Sequence, residues 1–114
     1  MAFNVEATFQ GILGTLRGQA GDAFDNITSF AENELKLLLK EAAQLTVART
    51  QGDLTADEFK DEMTNVSEQA KIVAKAIAEL ILISIQKAYD AIDKALRGAV
   101  KGALDAAGVG FLAW

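Results

Sequence analysis

Five carboxylates crowd residues 53 to 62: Asp53, Asp57, Glu58, Asp61 and Glu62, relieved only by Lys60. Oxygen ligands at that density suit a hard cation. A calcium hairpin, however, alternates Asp or Asn ligands around a glycine, and this segment does not. The same carboxylates cap a helix start and complement its dipole, which is the reading adopted. Farther along stand Lys94, Arg97 and Lys101 with no acid among residues 94 to 101. Their chemistry is a grip on anionic lipid or on an acidic partner, such as the acidic segment of a neighbouring copy. The same bases also suit a solvated face near a helix C-terminus.

Other chemistry is hard to assemble here. The chain has no His and no Cys. It therefore lacks the usual general base, cysteine nucleophiles, thiolate metal sites and disulfides. Without Glu-x-x-His a helical di-metal site has no frame. Gly98 and Gly102 do not fit the phosphate-binding pattern G-x-x-x-x-G-K-[ST]. No catalysis, cofactor or metal is expected.

Tyr89-Asp-Ala-Ile-Asp93 resembles, in its Tyr-x-x-x-Asp spacing, the small secreted helical-hairpin substrates of mycobacterial-type secretion. The resemblance covers two residues. The Trp-x-Gly of that family's turn is absent, since Gln51-Gly52-Asp53 stands there. Tyr89 is read instead as packing along a helix seam with its hydroxyl outward.

What remains is packing. A chain of 114 residues is one domain, and with Pro 0 nothing forbids long helices. Hydrophobic residues make up 51% of it, but 21 of them are Ala, so the core they build is shallow. Few β-branched runs and few aromatics favour an all-α fold. No stretch of 18 apolar residues encodes a membrane span, and no basic region precedes an apolar one at the start. By default these features place the chain in the cytoplasm or in a virion.

Gly52 can close a helix in the left-handed conformation, and Thr55 with Glu58 forms a capping box for the next. Leu54 and Phe59 take the staple positions. These signals predict a tight turn at residues 51 to 55. Beyond it, Phe59, Met63, Val66, Ala70, Val73, Ile77 and Leu80 keep a heptad rhythm, which then shifts by one residue to Ile81 and Ile85. With no Pro, and no Gly before Gly98, this predicts one long helix over residues 56 to 107. Upstream, Phe24, Thr28, Ala31, Leu35, Leu38, Ala42 and Leu45 mark a first arm over 22 to 50, with Leu37 and Leu39 widening its face. Asp22, or Ser29 with Glu32, would cap it.

Small residues recur at helical spacing. Ala91, Ala95, Ala99 and Ala103 form one ridge, with Gly98 and Gly102 beside it. Gly11, Gly14 and Gly18 mark another in the Gly-rich residues 1 to 21, which either extend the first arm or make a third, N-terminal helix. Ridges without side chains let another backbone approach closely. Folding about residue 53 sets residues 11 to 21 opposite residues 85 to 95. Each arm of about 50 residues would then run roughly 75 Å.

The expected architecture is thus an elongated, coiled-coil-like antiparallel hairpin. Two such arms cannot cover a second helix that is apolar on nearly every side, so homo-oligomerisation is expected. Its contacts would be the two ridges, Ile81, Ile85 and the apolar tail over 108 to 114, with Phe111 and Trp114 held by a neighbour. The expected function is structural: self-association into a filament, ring, shell or virion component. Two alternatives stand beside it. One is a membrane-active protein whose Gly-rich start, apolar middle and tail insert together, as a pore or a lipid-bound filament subunit. The other is an acidic module that occupies a protein partner's groove. The net charge of -5 opposes nucleic-acid binding.

Overall fold

A computed structural model of the chain describes residues 3–111, 113 and 114. Met1, Ala2 and Leu112 lie outside the described residues, and with them part of the readings made above for the start and the tail. Among the described residues all regular structure is helical. The elements are α1 (Val5–Ala20), a short 3-10 helix (Gly21–Asn26), α2 (Ser29–Thr50), α3 (Ala56–Ile81) and α4 (Ile85–Ala106).

Each α-helix starts on a side-chain cap. Asn4, Thr28, Thr55 and Ser84 each accept a hydrogen bond from the backbone N–H three residues on. At Thr55 the reciprocal bond is also made: the Thr55 N–H donates to the Glu58 carboxylate at 2.9 Å. The turn before it closes as a Schellman motif. Gly52 adopts φ 82, its N–H donates to the Arg49 carbonyl, and the Asp53 N–H donates to the Ala48 carbonyl at 2.8 Å. Leu54 and Phe59 both pack into the core, as a staple requires.

The long second helix expected over 56 to 107 is two helices. α3 ends at Ile81, and Leu82 takes the left-handed conformation, φ 60 and ψ 43. The Ile83 N–H then donates to the Ala78 carbonyl at 3.2 Å, the long bond of another Schellman motif, and Ser84 caps α4. Leucine here occupies the position that glycine usually fills. The first arm is likewise shorter than expected. Residues 22 to 26 belong to the 3-10 helix, and neither Asp22 nor Ser29 caps α2; Thr28 does.

Both breaks fold the arms back. α1 returns against α2, α4 returns against α3, and α1 meets α4. The result measures 43 × 23 × 20 Å rather than a rod of about 75 Å. Pairing about residue 53 survives this folding: Glu34 and Ile72 line one groove, and Phe3 and Ala103 another. α3 lies at the centre. Phe59, Met63, Val66, Ala74, Ile77 and Ile81 are all fully buried by the chain's own helices. The expectation that neighbouring copies must cover this helix is therefore corrected: α2 and α4 cover it. α1 is tied to α2 by charge over apolar surface. The Lys36 ammonium sits 4.7 Å above the Phe9 ring and 3.4 Å from the Glu6 carboxylate.

Two tests follow from the caps. Leu82→Gly relieves a left-handed penalty of roughly 1–2 kcal/mol, against an unfolded-state entropy cost of roughly 0.5–1 kcal/mol. Urea denaturation should therefore give a variant about 0.5–1 kcal/mol more stable. A less stable variant would mean that the Leu82 side chain holds the turn. The second concerns pH. The Thr55 N–H, and next the Thr55 hydroxyl, hold the Glu58 carboxyl below its ordinary value. The stabilisation is therefore complete above the unfolded carboxyl pKa of about 4.3 and lost as pH falls through the lower folded value. Denaturation midpoints between pH 6 and pH 3 should fall more steeply for the parent than for Glu58→Gln. Parallel curves would remove the capping box from the acid response.

Candidate interaction surface

The residues singled out for chemistry do not converge. Asp53, Asp57, Glu58, Asp61 and Glu62 are all exposed around the start of α3. Among the described residues no cluster of acids is close enough to hold a metal ion. The basic trio is largely committed inside the chain. Both carboxylate oxygens of Asp93 lie 3.0 Å from Arg97 Nε, and Lys101 Nζ lies 2.7 Å from Asp105. The Tyr89 hydroxyl is not outward and free; it donates to Asp93 at 3.4 Å in a half-buried setting.

The tail is held by its own chain rather than by a neighbour. Gly108, at φ 74, closes α4 with a third Schellman motif, completed by the Val109 N–H on the Leu104 carbonyl at 2.9 Å. This returns the chain over α3 and α4. The Trp114 indole N–H donates to Ser67 Oγ at 2.7 Å, which gives that buried hydroxyl a partner. Arg97 lies 4.5 Å above the Trp114 ring and donates to its main-chain oxygen at 3.1 Å. Phe59 and Phe111 meet the same ring edge-on. Arg97 thus serves as the link between Asp93 and the tail.

The small-residue ridges divide. Ala91 and Ala103 are buried within the bundle, as is Ile81, while Ala95 and Ala99 are half-buried. Gly98, Ala99, Gly102 and Ala103 line a shallow groove with Phe3, Asn4 and Thr8 of the α1 end. The glycines themselves face outward. Gly11, Gly14, Gly18, Gly98 and Gly102 are exposed, and apart from its chain neighbours and its own helix backbone no described atom lies within 4 Å of a Cβ built on any of them. At these glycines, therefore, the chain makes no close approach of its own.

Three large exposed apolar side chains gather elsewhere, between α2 and α3. Phe30 is 74% exposed, Ile72 is 72% and Leu37 is 57%. Phe30 and Ile72 line one depression with Ala76 and Leu80, and Leu37 and Ile72 line the next. Glu34 lines both, and Glu41 lines the second, so the apolar floor has an acidic α2 rim. Ile85 and Leu82 add exposed apolar side chains at the α3–α4 turn. The signal for this surface was present in the sequence: Phe30, Glu34, Leu37 and Glu41 step by 4, 3 and 4 beside the buried seam. Phe30 was missed because it falls outside that seam.

The outward glycines yield a direct test. Glycine inside a helix costs about 1 kcal/mol relative to alanine, and both positions have room for a methyl group. Gly98→Ala and Gly102→Ala should each raise the unfolding free energy by up to about 1 kcal/mol in urea titrations. A loss of stability would show that another part of the same chain needs these glycines.

Comparison of the chain with protein-family models, with curated proteins and with solved structures finds no match.

Proposed function

We propose that this chain is a structural subunit that self-associates through its α2–α3 face. One observation carries the reading: Phe30, Leu37 and Ile72 lie exposed in adjoining depressions on one side of the bundle. Large apolar side chains scattered singly are ordinary, whereas a contiguous set rimmed by polar groups marks a contact surface. The floor between two antiparallel helices has the shape that receives a third helix. The absence of His and Cys from the sequence agrees with a role in contact rather than in chemistry. The chain's own helices cover α3, so the subunit folds first and associates through what is left exposed.

Sedimentation velocity across a concentration series tests this. The parent chain should show mass rising with concentration, to a discrete particle or a polymer. Burying one such side chain stabilises a contact by roughly 1.5–3 kcal/mol, so Ile72→Glu should weaken association by at least about tenfold. Circular dichroism should leave its helix content unchanged, because Ile72 is already exposed. A parent chain that stays monomeric at high micromolar concentration rules the proposal out.

A further inference from the structure

Resting on the assembly reading above, we infer that the α2–α3 groove of one copy receives the outer face of α4 from another. The argument is complementarity of charge, spacing and depth. The groove carries Glu34 and Glu41 on its rim, seven residues apart on one side of α2. The outer face of α4 carries Lys87 and Lys94, also seven residues apart and both exposed, and the acid between them, Asp90, already accepts from Gln86 at 2.7 Å. Two helical turns span about 10.5 Å in each case, so two ion pairs form in register when the helices lie antiparallel, Glu34 on Lys94 and Glu41 on Lys87, which sets Gly98 opposite Phe30.

Depth fits as well. Phe30, Leu37 and Ile72 project outward along the groove and need a partner with little side chain of its own. Next to its lysine row α4 presents Gly98 and Gly102, with open space above both. A bare helix surface lets bulky residues of the neighbour reach the backbone. The two surfaces differ, and they lie on different helices of the same subunit. The contact is therefore heterologous: each copy offers one groove and one α4 face, and successive copies build a ring or an open polymer.

Mixing two variants tests the arrangement. Ile72→Glu spoils the groove and leaves α4 intact, while Gly98→Leu blocks α4 and leaves the groove intact. Neither changes the fold of the subunit, since both positions are exposed, and melting by circular dichroism verifies that. Sedimentation should show each variant alone as a monomer and the equimolar mixture as a heterodimer with nothing larger. Charge reversal fixes the register. Glu34→Lys with Glu41→Lys should weaken association about tenfold at low salt, and adding Lys87→Glu with Lys94→Glu should restore most of it. If Gly98→Leu still assembles like the parent, or if the fourfold reversal is no better than the twofold, the α4 contact is wrong while the assembly reading stands. If the parent itself is monomeric, the assembly reading fails first. A monomeric parent that floats with anionic or neutral vesicles would assign the groove to lipid and overturn both.

Discussion

The structure depends on covering α3. That helix carries apolar side chains on more than one side, and each must leave water at a gain of about 25 cal/mol per Å². A straight hairpin offers it one neighbour. Folding both arms back offers it α2 and α4 together, and the tail adds Trp114 against Phe59, with Phe111 against Trp114. The backbone conformation at Leu82 is the condition for this. Placing a leucine at φ 60 costs roughly 1–2 kcal/mol, and the burial of Ile81, Ile92, Leu96 and Val100 that the turn permits exceeds it several-fold. The left-handed leucine persists because the packing on both sides of it is set.

That balance explains what could be read in the residues and what could not. The helical class, the turn at Gly52, the capping box of Thr55 and Glu58, and most of the buried seam are local signals. A glycine, a hydroxyl with a carboxylate three residues on, and a 4–3 rhythm each act within one or two turns of helix. The Leu82 turn has no such marker. It shares the long closing bond with the turns at Gly52 and Gly108, but the residue at the left-handed position is one that normally continues a helix. The one trace is the slip of the heptad seam by one residue between Leu80 and Ile81, where α3 hands its apolar face over to α4. The tail was opaque for a different reason: the partners of Trp114 are Ser67, 47 positions away, and Arg97, 17 positions away.

The glycines point outward from the same logic. In a fold where tertiary burial overrides local preference at Leu82, glycines that contact nothing are a local cost with no internal return. Gly98 and Gly102 sit in α4, whose opposite face holds the fully buried Ile92, Leu96, Val100 and the nearly buried Leu104. The buried side of α4 thus supplies the stability that lets its outer side remain bare. Within the subunit that bare surface contributes no packing.

The proposed assembly places the two unsatisfied surfaces in one frame. The α2–α3 groove has bulk and negative charge and lacks a partner helix. The α4 face offers the exposed Lys87 and Lys94 beside side-chain-free glycines. Had these surfaces been alike, a two-fold dimer would close and end the assembly, because an isologous contact uses each patch on both copies at once. Because they differ, every added subunit presents again the surface that the last one used. Growth then stops only when the rotation between neighbours brings the chain of contacts back on itself. That rotation is set by the angle between α4 and the α2–α3 groove within one subunit. The Leu82 turn helps to fix this angle by setting how α4 leaves α3. In the proposed assembly, the residue that makes the subunit compact would thereby also govern the curvature of the contact chain.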